Sequence, residues 1–232
     1  MMKKCAMLWC VLLMGISGIT QGQSSFALSL DIGPSYSYRV LKGDESVQRI
    51  IDLRNESEDY GLGFTAGIAG HYKFKNGTQI ELGIQYIRYV TRTNDLPVLG
   101  EFNEFIGTAD LLYQSHFIEI PLRTRYVIHF MRYSVYISPG IAPSLFLNQF
   151  SKGIIEYDNG DSEVKRSENT ITDFNDFGLV GLFGFGIEIP IGEKMRMAIE
   201  PGARYHFFEL NDFSVKEHLY SFGCQFRLIK QF

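Results

Sequence analysis

Cysteine is scarce in this 232-residue chain: only Cys5, Cys10 and Cys224 occur. The first two fall in a leader-like N-terminus, so Cys224 is left alone. An internal disulfide is thereby excluded, and no C-x-x-C metal spacing exists. Tryptophan is scarcer still, with Trp9 as its one instance. Beyond residue 16 no apolar run is long enough for a membrane helix, so helical spans are excluded. Excess basic charge is also missing. The net charge is −4, and −6 once Lys3 and Lys4 leave with the leader, which argues against a nucleic-acid partner. Neither G-x-S-x-G nor H-E-x-x-H occurs, and the five histidines are scattered. No cofactor or metal is expected from that pattern.

Aromatics and alternation are abundant. Phe (19) and Tyr (13) lean the composition toward β structure. Lys3-Lys4, the apolar stretch CAMLWCVLLMGI and the small, polar SGITQGQ have the three-part layout of a secretory signal peptide. Cleavage is expected after Gly22, giving residues 1–22 as signal and 23–232 as one domain.

The rest of the chain alternates with period two. Eight strands are expected: Ser25–Val40, Tyr60–Lys73, Thr78–Thr91, His116–Phe130, Tyr133–Asn148, Asp176–Ile191, Lys194–Leu210 and His218–Phe232. Each is longer than the roughly 9–11 residues that cross a bilayer at a tilt. The register slips near Ile87-Arg88, where a bulge is expected. Asn76-Gly77 marks a two-residue hairpin turn. Long connections (41–59, 92–112, 150–175, 211–217) alternate with very short ones, as in outer-membrane barrels. Six prolines fall inside these strands (34, 121, 139, 143, 190 and 201) and are read as bulges or strand ends. The expected fold is all-β: a closed eight-stranded antiparallel up-and-down transmembrane β-barrel, with long extracellular loops and short periplasmic turns. Closure leaves no strand edge unpaired in lipid. A soluble lipocalin-like binding barrel is the alternative fold reading.

One face of every strand is apolar; the other carries Asp31, Glu81, Glu119, Arg123, Arg125, Glu188, Arg196, Glu200, Arg204 and Arg227, with His71 and His206. An eight-stranded barrel has an interior just wide enough to be filled by side chains. Charges enclosed there must pair, so the expected use is a lumenal salt-bridge network, structural and not catalytic. Leu96–Ile106, LPVLGEFNEFI, is unusually apolar for a connection. Leu96, Val98, Leu99, Phe102, Phe105 and Ile106 are expected either to cap the barrel mouth or to bind a partner. The stretch IIEYDNGDSEVKR reads as a hairpin around Asn159-Gly160 that extends the fifth and sixth strands.

FIEIPLRTRY, YSVYISPGIAPSLFLN and DFGLVGLFGFGIEIPIGEKMRMAIEPGARYHFFEL together resemble the PorT-like outer-membrane β-barrel family. The resemblance runs from about Phe117 to the C-terminus and more weakly back to Phe26. Its more specific parts are EIPL at Glu119–Leu122 and EPGARY at Glu200–Tyr205. It implies an eight-stranded barrel in a Gram-negative outer membrane and, through the family's named member, a part in type IX secretion and gliding. Terminal Phe232 suits the aromatic assembly signal of such barrels. The functional expectation is therefore a non-enzymatic anchor or scaffold. Its partners would be outer-membrane lipid, the barrel assembly machinery and other secretion or envelope proteins. The alternative is a lipid- or glycan-modifying barrel enzyme.

Overall fold

The structure, a computed structural model, describes residues 25–74, 77–99, 104–169, 175–211 and 214–232. The expected leader lies outside them, as do Asn76 and Phe102. Among the described residues, eleven strands form one antiparallel sheet: β1 Ser25–Gly43, β2 Glu58–Lys73, β3 Thr78–Leu99, β4 Phe105–Glu119, β5 Leu122–His129, β6 Ser134–Ile137, β7 Gly140–Tyr157, β8 Ser162–Asn169, β9 Phe177–Pro190, β10 Met195–His206 and β11 Val215–Gln231. A short helix α1, Gln48–Ser57, follows β1. Among the described residues no helix is long and apolar enough to cross a membrane.

The pairings run in a circuit. β1 pairs with β2, β2 with β3, β9 with β10, β10 with β11, and β11 returns to β1. Between β3 and β9 the circuit passes through β5 and β6 at one level and β4 and β7 at the other.

Two expected strands are divided. His116–Phe130 breaks at Ile120-Pro121 into the end of β4 and β5; Tyr133–Asn148 breaks at Ser138-Pro139 into β6 and the start of β7. Proline lacks the N–H that a ladder needs. Backbone bonds bridge both breaks: Gly83 N–H donates to the Pro121 carbonyl (3.0 Å) and Thr124 N–H to that of Pro139 (2.9 Å). The alternation therefore survives, with Glu119, Arg123 and Arg125 all facing inward. Pro190 ends β9. Pro34, Pro143 and Pro201 are neither bulges nor strand ends: each is paired in register on one side and skipped by the ladder on the other. The missing N–H falls in that gap.

The expected slip at Ile87-Arg88 is also relocated. β3 runs through it unbroken, and the irregularity lies opposite, in β2 between Tyr60 and Phe64. Strands also run farther than expected at the long-connection end. Leu96–Leu99 pair with Phe105–Ala109, and that hairpin continues onto β7 and β8. Within segment 96–106, Leu96–Leu99 and Phe105–Ile106 belong to strands of the sheet. The period-two alternation fades there, whereas backbone pairing does not. Gly160 turns β7 into β8 at φ 87°, and Gly77 has φ 84°, the left-handed region these hairpins require.

The two faces are inverted relative to a soluble protein. Leu30, Ile32, Ile68, Leu82 and Phe183 point outward and are more than half exposed. This aliphatic band is bounded by aromatic pairs. At the short-turn end stand Phe26–Phe232 (6.2 Å), Tyr72–Phe74 (5.0 Å) and Phe130–Tyr133 (4.9 Å). At the other end stand Tyr38–Tyr60 (5.0 Å), Phe64–Tyr86 (5.6 Å) and Tyr205–Tyr220 (4.9 Å). An apolar belt between aromatic girdles is what the outer surface of a membrane barrel presents to lipid and headgroups.

Candidate functional site: a layered interior

The inward side chains form layers. Nearest the short turns, Ala27, Val127, Tyr136, Ala198 and Ile229 make an apolar floor. Arg125 lies over the Tyr136 ring at 3.7 Å. Its guanidinium and that of Arg196 both reach Glu188, at 3.3 and 2.7 Å.

Above the floor sits the densest charge. Glu81 on β3 is met by the Arg227 guanidinium on β11, with Arg123 on β5 at 3.8 Å and His71 on β2 at 3.6 Å. Glu200 on β10 accepts from Arg123 at 2.6 Å and from the Ser138 hydroxyl at 3.0 Å, and Arg227 lies 3.4 Å away. Asp31 on β1 lies 3.8 Å from Arg227. The Gln225 amide oxygen accepts from Arg227 (2.9 Å). Glu119 on β4 accepts from Arg204 (2.7 Å) and from the Tyr89 hydroxyl (2.8 Å), and Arg204 also donates to Gln85 (2.9 Å). Five arginines thus face five carboxylates, and each carboxylate is almost fully buried. Such charges are tolerable only with partners of opposite sign and hydrogen bonds on the remaining atoms.

The third layer is apolar again. Ile87, Tyr89, Phe117, Leu210 and Leu219 cluster, with Phe146 against them. His206 is edge-on to Tyr89 and Phe117 at 5.2 and 5.5 Å. At the top Arg39 bridges Glu58 and, at 3.1 Å, Glu217; α1 closes over this level with Ile51 buried. A cavity of about 20 Å³ beside Arg123 and Glu200 remains in the charged layer. That is about the room of one water.

All ten charged residues singled out from the sequence line this interior, as do His71 and His206. The structure does not bring the apolar connection to them. Leu96 pairs with Ala109, Val98 with Gly107 and Leu99 with Phe105, outside the circuit; Phe105 is exposed and Ile106 half-buried. Phe232 lies on the outer surface, its N–H donating to the Phe26 carbonyl at 3.0 Å. Sequence reasoning missed Arg39, Glu58, Tyr89, Tyr136 and Glu217. Arg39 had a signal, because it continues the Asp31–Ser37 inward register. Tyr89 had one too, hidden by the slip assumed at Ile87.

No curated protein matches the chain. Solved structures that resemble it include the outer membrane protease OmpT from Escherichia coli (11% identity, 93% of this chain and 100% of that one, TM-score 0.44). OprG from Pseudomonas aeruginosa (13%, 92% and 99%, TM-score 0.36) and Neisserial surface protein A (13%, 89% and 98%, TM-score 0.35) are further examples. A profile of the outer membrane protein beta-barrel domain matches residues 20–215. The chain belongs to that family, and its place is the cell outer membrane.

Proposed function

We propose that the protein is a non-enzymatic outer-membrane anchor, an eight-stranded closed barrel that holds extracellular β-hairpins at the cell surface. The eleven strands count as eight spanning ones when β4 with β5, and β6 with β7, are each taken as one strand interrupted by proline, and β8 as an extension. Either level of the pairing circuit then crosses eight strands. The observation that carries the reading is the filled interior: arginines and carboxylates are spent on one another, with apolar layers above and below. An interior committed in this way serves rigidity, and leaves the hairpins as the part that varies and binds. Short turns and both described ends face the periplasm, and Phe232 is the residue offered to the assembly machinery.

On the PorT-like resemblance, the partners are other components of a type IX secretion-like process. Deleting the gene and comparing secreted proteins tests this. Lost secretion supports the anchor role; unchanged secretion with a shifted mass of the membrane glycolipid supports a lipid-modifying enzyme instead.

A further inference from the structure

The β7–β8 hairpin ends the sheet. Among the described residues β8 pairs with β7 alone, so its other edge is free. Register and hydrogen bonding fix what that edge offers. Tyr157 N–H donates to the Asp161 carbonyl at 2.9 Å, which makes these two a hydrogen-bonded pair. Such pairs recur at every second residue of an antiparallel ladder. Glu163 and Lys165 therefore turn their backbone groups toward β7, while Ser162, Val164 and Arg166 turn theirs toward the free edge. Val164 is the one apolar residue of β8, stands 52% exposed, and lies in register with Ile154 of β7. On the opposite face Glu163 and Lys165 form an exposed ion pair at 3.3 Å.

A bare edge is a template for another strand, and charges on it decide which strand is accepted. When two β8 edges meet antiparallel, residues turned outward must face residues turned outward. The allowed registers then differ by steps of two residues. With Val164 opposite Val164, each Glu163 faces Lys165 of the second copy, and each Ser162 faces Arg166. The next register on one side sets Glu163 against Glu163, and the next on the other sets Lys165 against Lys165. Opposite charges across a ladder attract and like charges repel, so the charges that block the neighbouring registers select this one. We infer that β8 pairs with β8 of a second copy of this chain, about a two-fold axis through Val164. The exposed ion pair then becomes a row of four alternating charges, and Ile154 and Val164 of both copies make one apolar row on the other face. The two-fold of an antiparallel pair stands normal to the sheet, so the two barrels point in opposite directions. Copies in one membrane point the same way. The contact therefore joins barrels in facing membranes. It rests on the hairpins standing outside the cell, as in the anchor reading, and is independent of any secretion role.

The test uses the mature chain folded in detergent micelles, where barrels are free to meet in any orientation, with self-association measured by sedimentation equilibrium. The native protein is expected to dimerise. Lys165→Glu sets acid against Glu163 and should weaken dimerisation at least tenfold. The exchange Glu163→Lys/Lys165→Glu restores opposite charges within its own pairs, so it should dimerise with itself but not with the native protein, as read by mixing the two with different labels. Val164→Cys in a Cys224→Ser background should oxidise to a linked dimer, because residues opposite in a hydrogen-bonded pair stand about 5.5 Å apart at Cα, within disulfide reach. Met131→Cys, fully exposed at the short-turn end, serves as the control for random collision. Native protein in lipid vesicles should cluster them, seen as a rise in light scattering that Lys165→Glu abolishes. Heat-modifiable gel mobility reports folding of each variant separately. A native protein that stays monomeric, dimers that form equally between native and exchanged chains, linkage at Met131→Cys equal to that at Val164→Cys, or vesicles that stay dispersed would each overturn the inference.

Discussion

Arg204→Met isolates one ion pair from the rest of the interior. Arg204 on β10 has one carboxylate partner, Glu119 on β4, at 2.7 Å, and Glu119 has no other cation within 4.0 Å among the described residues. Exposure of the two side chains is 9% and 0%. Without the guanidinium, Glu119 keeps the Tyr89 hydroxyl alone, and the Gln85 oxygen loses its donor. Stranding a buried charge in this way costs about 3–5 kcal/mol, or roughly two to four decades in the unfolding equilibrium. Glu119→Gln in the same background removes the stranded charge while still accepting from Tyr89. The double variant should therefore regain at least ~2 kcal/mol of that loss, with about 1 kcal/mol still missing at Gln85. Urea titration of the barrel in lipid vesicles measures both, followed by far-UV circular dichroism and tyrosine fluorescence, because the one tryptophan lies in the expected leader. A double variant as unstable as Arg204→Met, or a single loss below ~1 kcal/mol, would refute the claim that this charge pair holds β4 against β10.

Three further outcomes are expected. Arg123→Leu removes the 2.6 Å bond to Glu200 and weakens the surroundings of Glu81, so the barrel should lose its resistance to heat in detergent gels; native mobility at high temperature would count against the network. A Cβ at Gly186 would fall 2.2 Å from Tyr136, so Gly186→Ala should cost about 1–3 kcal/mol by urea titration, and Tyr136→Leu should relieve it. In planar bilayers the native protein should pass no steady current, and discrete conductance steps would contradict a filled lumen.

Glu119, Arg123 and Arg125 were legible as inward because alternation is a local property: each side chain's face follows from its neighbour's, and the register even crosses the proline break. What joins Glu119 to Arg204, 85 positions later, was not legible. That pairing depends on the stagger of strands around the circuit, which turn lengths and the β2 irregularity set together. The extent of β3 and β4 was underestimated for a different reason. Past the lipid belt the strict period-two alternation stops, while the ladder continues to Leu99. Helix α1 escaped notice because Gln48–Ser57 has too few apolar positions for a helical period; Ile51 packs it against Gly43.

The pairing of β1 with β11, from Ala27↔Gln231 to Gly43↔Val215, has a temporal consequence. The first strand made must wait for the last before its free edge is covered, so sealing is the most non-local event in the whole chain. Until then two edges stay sticky, one at each side of the gap. Loss of the final strand would unseat β1 and β10 together, so a prematurely terminated chain should be cleared by proteolysis instead of persisting as a smaller barrel.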